Sequence, residues 1–170
     1  ILKPQKMKQI KLILTLTSLA LFTSCAPIYF YQSTRDRVQS TNKKNIENIQ
    51  FFNDEEFSLV YKSQSKDESI SGGKVKFQDG YYYYTIKFPK KTPAVAEHYN
   101  DEKLLVYFET GKPLTFGKYS EDNDKYGLYG FNKTEVVNRR KIERFYVNYE
   151  GKDFRVYGNP RLIIKKNIDV

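Results

Sequence analysis

The sequence predicts an all-β domain, an antiparallel sandwich or small barrel of about eight or nine strands. Three observations lead to this prediction. The 170 residues include 15 tyrosines and 12 phenylalanines, and aromatic side chains favour half-buried pleated surfaces. Apolar and polar residues alternate over several short runs, which turn-forming residues separate. After position 25, no run shows a convincing helical period.

The predicted strands follow this alternation in chain order. They cover residues 56–62, 74–77, 81–88, 104–108, 114–116, 128–131, 144–149, 154–157 and 161–166. Two turn signals, Asp79-Gly80 and Glu150-Gly151, predict tight hairpins between neighbouring strands. Residues 101–105 and 133–141 are the places where a turn of helix could form instead.

The first 24 residues have the layout of a cleaved export signal. Met7 is the expected start, because a positive patch, an apolar run at 12–22 and small residues follow it in that order. The apolar run of 11 residues is shorter than the about 20 that a membrane-spanning helix needs. We therefore expect removal of this segment and no permanent transmembrane anchor.

The segment Leu19-Ala20-Leu21-Phe22-Thr23-Ser24-Cys25 resembles the lipobox of bacterial lipoproteins. In that family the cysteine thiol is diacylated and the signal is cut just before the cysteine. Thr23 and Ser24 fit the pattern, whereas Phe22 stands where leucine, isoleucine or valine is usual. The resemblance implies that Cys25, the only cysteine, becomes the acylated first residue of a membrane-tethered protein. Two or three acyl chains anchor a protein firmly.

The residues that follow Cys25 bear on localisation. Lipoproteins kept at the inner membrane usually carry an aspartate next to the cysteine, and many that reach the cell surface in Bacteroidota carry an early acidic cluster. Here Ala26 follows the cysteine, and the first acid is Asp36. The resemblance therefore implies the periplasmic face of the outer membrane. The aromatic residues at 29–31 lie either among lipid headgroups or in the first strand of the domain.

Residues 25–45 are predicted to form the lipidated N-terminus and a tether or loosely packed lead-in, since positions 32–45 contain one aliphatic side chain. Residues 46–170 then form the β domain. Five stretches of this domain, at 49–56, 71–76, 92–95, 114–117 and 149–152, are similar to a group of small uncharacterised lipoproteins of Bacteroidota. Relatives tend to have glycine at the position of Ala94. The group has no established activity, so the resemblance implies no reaction.

The net charge of +9 is partly a property of the export signal. Four lysines and no acid precede Cys25, which leaves 25 basic against 20 acidic residues after it. A periplasmic location removes the usual nucleic acids, so we expect no nucleic-acid partner. The basic clusters at 90–91, 139–144 and 165–166 suit anionic lipid or an acidic partner, or they are solvated strand edges protected by lysine.

A competent catalytic set is absent from the sequence pattern. The only histidine, His98, is expected in a polar loop. Adjacent carboxylates at 55–56, 67–68, 101–102 and 121–122 point to opposite faces of any strand and form no couple by themselves. The acidic turn at 121–124 lacks the spacing of an EF-hand loop. No cofactor and no metal site are predicted.

Tyrosines are the strongest indication of a binding surface. Tyr81, Tyr83 and Tyr146 alternate with the apolar core positions of their strands, so they form a possible surface patch for a glycan or an envelope protein. Packing at the rim of the domain is the other interpretation. We predict a non-catalytic binding or scaffolding lipoprotein. The alternative is a carboxylate-based hydrolase of envelope glycans, which needs a pocket with two carboxylates about 5–9.5 Å apart.

Overall fold

The computed structural model describes residues 28–40, 46–67, 69–70, 72–118 and 124–165. Two antiparallel sheets pack against each other as a sandwich and form no closed barrel, which confirms the predicted all-β class. The predicted export signal and Cys25 lie outside the described residues. Within the described ranges, no helix is long and apolar enough to cross a membrane.

Regular structure in these ranges consists of thirteen strands, one α-helix and one 3-10 helix. The strands are β1 (Ile28–Tyr29), β2 (Phe51–Asn53), β3 (Phe57–Ser63), β4 (Lys74–Gln78), β5 (Tyr81–Phe88), β6 (Pro93–Asn100), β7 (Lys103–Glu109), β8 (Lys112–Lys118), β9 (Tyr126–Leu128), β10 (Phe131–Val137), β11 (Arg140–Tyr149), β12 (Lys152–Tyr157) and β13 (Leu162–Ile164). The helices are α1 (Gln32–Ser40) and a 3-10 helix at Ile46–Asn48.

One sheet has seven strands in the order β1-β13-β2-β6-β7-β8-β9. Isolated bridges join Tyr31 to Lys125 and Gly127 to Arg161, so the two edges of this sheet meet. The sheet therefore curls strongly, although only isolated bridges, and no continuous ladder, connect its two edges. The other sheet has six strands in the order β10-β11-β12-β3-β5-β4.

Aromatic side chains form the contact between the sheets. The rings of Phe57 and Phe88, neighbours on β3 and β5, stack with 4.6 Å between their centroids. Phe108 of the seven-stranded sheet lies against both rings, at 5.6 and 5.3 Å. Along β5, Tyr84 and Ile86 are buried while Lys87 is exposed, as the period-2 pattern predicts.

Three segments differ from the sequence-based expectation. Residues 93–100 form β6, so His98 lies on a strand and not in a polar loop, because pairing with β7 satisfies the backbone of this polar stretch. Residues 131–137 form β10 and residues 103–105 begin β7, whereas the sequence also allows a turn of helix in both places. Both strands have antiparallel partners that supply the hydrogen bonds a helix would otherwise provide.

The expected tether is wrong for residues 28–40, which are packed onto the seven-stranded sheet. Strand β1 pairs with β13, so the aromatic residues at 29–31 belong to the start of the domain. Phe30 is fully buried and meets the rings of Phe51 and Tyr126 edge to face, at 5.0 and 5.2 Å. Helix α1 buries Val38 and Arg35. The sequence pattern misses this helix because an arginine takes one of its two buried positions.

Arg35 holds α1 on the sheet through polar contacts. Its Nη1 donates to the Tyr126 hydroxyl at 2.7 Å, and its Nη2 donates to the Asn100 carbonyl. The Tyr126 hydroxyl donates in turn to Gln32 Oε1 at 2.6 Å. Burial raises the pKa of Tyr126, while the hydrogen bond and the charge of Arg35 act in the opposite direction. Among the described residues, no carboxylate forms an ion pair with this arginine.

Replacing this buried cation tests whether α1 belongs to the folded domain. We expect Arg35→Ala to lower the free energy of unfolding by about 3 kcal/mol, because the Asn100 carbonyl and the Tyr126 hydroxyl lose a buried partner. Urea unfolding followed by circular dichroism measures the change. Gln39→Ala, at an exposed position of α1, should stay within about 0.5 kcal/mol of the unchanged protein. Equal effects of the two variants would contradict the packed helix.

Candidate functional site

The three predicted tyrosines share one face of the six-stranded sheet, the face that points away from the core. We call it the outer face. The cross-strand row Tyr146–Arg155–Val60–Thr85 runs over this face from β11 to β5. Tyr83 and Tyr81 follow on β5 at two-residue intervals, so they point to the same side as Thr85. All three tyrosines are half-buried.

Strand order divides these tyrosines into two groups. Tyr81 and Tyr83 are neighbours on β5, whereas Tyr146 lies on β11, with β12 and β3 between them. Three strand spacings and an offset of two residues put the Cα atoms of Tyr83 and Tyr146 about 16 Å apart. The structure therefore gives two clusters on one face and not a single tyrosine patch.

The first cluster consists of Lys62, Tyr81 and Tyr83. Lys62 of β3 stands directly opposite Tyr83 of β5. Its Nζ lies 3.6 Å from the ring centroid of Tyr81 and 5.8 Å from that of Tyr83. A cation over an aromatic ring is attracted by the negative π face. The ammonium group is thus held in place, and it covers the ring face that a sugar would need for stacking.

The second cluster is built around Phe131 and Tyr146, which are cross-strand neighbours with centroids 6.2 Å apart and nearly parallel rings. Lys133 Nζ lies 5.3 and 5.2 Å from these two centroids and 2.6 Å from Asp153 Oδ2. The guanidinium of Arg155 adds a cation 4.5 Å from the Tyr157 ring. This cluster, like the first, presents positive groups supported by aromatic rings.

Charges on the outer face are unbalanced. By strand alternation, its cations are Lys62, Lys74, Lys76, Lys87, Lys133, Arg140, Arg144 and Arg155, whereas its strand carboxylates are Glu135 and Asp153. Lys133 lowers the pKa of Asp153, so that acid stays ionised. An excess of cations on an open sheet face attracts anions and disfavours cationic ligands.

Tyr146 connects the aromatic side chains of the outer face with its charged side chains. Its hydroxyl donates to Glu135 Oε1, and Glu135 Oε2 lies 3.9 Å from Arg155 Nη1. Burial, followed by the hydrogen bond to Glu135, raises the pKa of Tyr146 to about 12. The hydroxyl therefore remains a hydrogen-bond donor at neutral pH and holds the Glu135 carboxylate against the outer face.

A groove of about 520 Å³ lies on the seven-stranded sheet. Its lining includes Gln50, Pro93, Val95, Glu97, Tyr107, Phe108, Glu109 and Gly111. The two carboxylates have separate partners: Tyr107 donates to Glu97 at 2.9 Å, and Tyr149 donates to Glu109 at 3.0 Å. The hydrogen bond to Glu97 raises the pKa of Tyr107, and burial raises that of Tyr149.

The spacing of these carboxylates bears on the hydrolase alternative. Val95 stands opposite Tyr107, so Glu97 and Glu109 are one strand and four residues apart, with about 14 Å between their Cα atoms. Sequence reasoning missed this pair because its members are 12 positions apart and only the pairing of β6 with β7 puts both in one groove. The adjacent carboxylate pairs that lie wholly in the described ranges, at 55–56 and 101–102, do not line it.

The other candidates from the sequence either stabilise turns and ion pairs or lie outside any cluster of catalytic or metal-binding side chains that the structure describes. His98 is exposed on β6. Asp54 and Glu55 accept the backbone N–H groups of Arg161 and Asn159, which fixes a turn. Asp124 pairs with Lys118 at 2.9 Å, and the rest of its acidic turn lies outside the described residues. No group of three potential metal ligands occurs in the part of the chain that the structure describes.

Comparison with known proteins gives no relative: no family model, no curated protein and no solved structure matches this chain.

The pKa of Tyr146 predicts a specific loss of stability in alkali. The neutral hydroxyl stabilises the fold fully below about pH 10, where it also stays protonated in the unfolded chain. That stability is lost as the pH rises through about 12. Tyr146→Phe should therefore show a shallower fall of the urea unfolding midpoint between about pH 10 and 12. Tyr129→Phe, which alters an exposed ring, should keep the steep fall, and identical slopes for both variants would contradict the assignment.

Proposed function

We propose that this chain is a lipid-anchored envelope protein whose β-sandwich binds an anionic partner without catalysis. The observation that carries the proposal is the outer face, where Lys62, Lys133 and Arg155 stand over or beside aromatic rings. The lipobox-like sequence that ends at Cys25 supports the anchor. From the five similar stretches of the β domain we propose kinship with the small lipoproteins of Bacteroidota, and from the residues after Cys25 a location at the periplasmic face of the outer membrane.

The short distance from the anchor to the fold supports close contact with a bilayer. Cys25 precedes Ile28 of β1 by three residues, and three peptide units span at most about 11 Å. Near this end, Lys125 Nζ lies 4.3 Å from the Tyr29 ring, and Lys165 Nζ lies 5.8 Å from the Phe52 ring. Paired aromatic and cationic side chains suit a headgroup layer. Acylation of Cys25 would therefore hold the sandwich against the membrane.

An acidic glycan is the partner that the outer face suits best. The face is an open sheet, and its two clusters lie about 16 Å apart, so a polymer with repeated charges can meet both. Aromatic support restrains the long cationic side chains before binding, which reduces the entropy lost when an anion is bound. An acidic surface of another envelope protein is the second possible partner and would compete for the same cations.

The alternative, a carboxylate-based hydrolase of envelope glycans, would use the groove that contains Glu97 and Glu109. A glycosidase couple needs its two carboxyl groups about 5–9.5 Å apart with room for substrate between them. Glu97 and Glu109 each accept a separate hydrogen bond, from Tyr107 and Tyr149, and this favours binding over catalysis.

The anchor is tested by removing its thiol. Cys25→Ala should move the protein from the membrane to the soluble fraction and abolish acyl mass, because this is the only thiol that can be acylated. Cell fractionation and mass spectrometry measure both effects. Ser24→Ala keeps a small residue before the cysteine and should leave the fractionation unchanged. Membrane association of Cys25→Ala equal to that of Ser24→Ala would refute the lipid anchor.

The outer face is tested by removing one cation from each cluster. Lys62→Gln/Arg155→Gln should weaken binding to a uronic acid polymer by about tenfold, because each site loses a charge-assisted contact. Isothermal titration calorimetry at two salt concentrations measures the affinity, which should also fall as salt rises. Lys90→Gln/Lys91→Gln removes the same charge between β5 and β6 and should change affinity less than twofold. Similar losses in both double variants would remove the outer face as the binding site.

A further inference from the structure

Residues 132–145 form a two-stranded ribbon that extends beyond the sandwich, and we call it the arm. Strand β12 pairs with β11 only from Tyr146 to Tyr149. Earlier residues of β11 pair with β10 alone among the described strands. Side chains of the arm are therefore exposed or half-buried on both of its faces.

The base of the arm is firmly packed. Phe131 and Tyr146 stack where the arm leaves the sheet, and Lys133 donates a hydrogen bond to Asp153 of β12. Gly130 lies so close to the Tyr146 carbonyl and the Phe145 ring that a Cβ atom would collide with both. An isolated hairpin is marginally stable in water, so these contacts are what keep the ribbon extended.

The tip of the arm holds an arginine in an unfavourable backbone conformation. Asn138 and Arg139 have φ values of 50° and 63°, so both central residues of the turn are left-handed. Asparagine is common in the first of these positions, but the second usually holds glycine. A side chain with a Cβ destabilises that conformation.

The side chains beside this turn combine apolar groups with unpaired cations. Val136 is 71% exposed and Val137 is 39% exposed, and as sequence neighbours on a strand they point to opposite faces of the ribbon. Arg139, Arg140 and Lys141 follow, and none of them forms an ion pair with another described residue. Burial of both valines requires an environment that surrounds the tip. A bilayer interface does this, whereas a flat protein surface covers one face.

We infer that the tip of the arm is a membrane contact, which places Val136 and Val137 in the interface of a bilayer and its cations among anionic headgroups. Exposed apolar side chains ringed by arginine and lysine bind such interfaces through both apolar burial and charge. This inference does not depend on acylation of Cys25, because the arm acts through its own side chains.

The position of the arm relative to β1 determines how the protein would lie. Strands β1 and β2 run in the same direction, since both are antiparallel to β13. At its C-terminal end, β2 leads into the start of β3. The end of β12 lies beside the start of β3, and the arm projects from the sheet at that end. The tip is therefore at the opposite end of the sandwich from Ile28. Contacts at both ends would lay the domain along one membrane surface.

Vesicle binding by the full chain carrying Cys25→Ala tests the arm without the acyl anchor. The probes are vesicles of phosphatidylglycerol and phosphatidylcholine at about 3:7, compared with phosphatidylcholine alone. We expect Arg139→Gln/Arg140→Gln/Lys141→Gln to lower partitioning into the anionic vesicles at least tenfold. Val136→Ser/Val137→Ser should lower it about fivefold with the charge unchanged. Sedimentation of the vesicles measures the bound fraction.

Matched controls lie outside both the arm and the cations of the outer face. Lys90→Gln/Lys91→Gln removes two exposed cations between β5 and β6, and Val75→Ser/Phe77→Ser removes two exposed apolar side chains. Both should stay within about twofold of the parent. Equal losses in the arm variants and in these controls would overturn the arm as the contact. A loss with the arginine and lysine variant alone would overturn insertion of the valines. Circular dichroism and the urea midpoint establish that each variant is folded.

A fluorescent probe provides a readout that does not rely on removing side chains. In the Cys25→Ala background, Asn138→Cys supplies a unique thiol at the tip, and Asp79→Cys supplies one at the β4–β5 turn. An environment-sensitive dye at position 138 should shift to the blue with anionic vesicles, while the dye at 79 should not. Equal spectra at both positions would overturn the inference.

The acylated wild-type protein then distinguishes the bilayer that carries the anchor from a facing one. If the arm contacts a facing bilayer, vesicles that carry the acylated protein should form clusters with protein-free anionic vesicles. If they do not cluster, and the tip probe is still blue-shifted, the arm contacts the bilayer that holds the anchor.

Discussion

The packing of Phe108 against the Phe57–Phe88 pair is the interaction on which the rest of the structure depends. It joins the two sheets, and strand alternation then directs the other side of each strand toward solvent. The outer face exists because the six-stranded sheet is covered on one side by this core. Since β12 supports β11 over only four residues, the same arrangement leaves residues 132–145 as a ribbon beyond the sandwich. Both proposed interaction surfaces therefore follow from one aromatic contact and the uneven lengths of the strands.

Charge is distributed in a way that the fold alone does not require. Cations on the outer face stand against aromatic rings, where they are held in position and remain in contact with water. The cations at the tip of the arm lie beside exposed valines. Lysine at sheet edges also prevents edge-to-edge association, and this accounts for Lys74 and Lys76 on β4. It does not account for three cations beside two exposed valines at the tip of the arm, and this combination is the basis of the proposed membrane contact.

Sequence patterns predicted the strands whose faces differ most clearly in polarity. In β3, β5, β7 and β12 the buried residues lie two positions apart, so the period of two is visible. Strand β10 is exposed along nearly its whole length and therefore has no such pattern. Helix α1 escaped prediction because Arg35 is buried by hydrogen bonds to Asn100 and Tyr126, residues distant in sequence. Tyr81, Tyr83 and Tyr146 were assigned to an outward face, but their separation into two clusters depends on the strand order.

By itself, the sequence determined the β class, the hairpin turns and the alternation that separates core from surface, because these depend on neighbouring residues. It also contains the lipobox-like segment at Cys25, a local motif. Only the tertiary structure decided between sandwich and barrel, packed residues 28–40 onto the sheet, brought Glu97 and Glu109 into one groove and left the arm uncovered. Each of these depends on which strands become neighbours and how far they overlap. Such long-range pairing is chosen by the packing of the whole domain, and no local pattern encodes it.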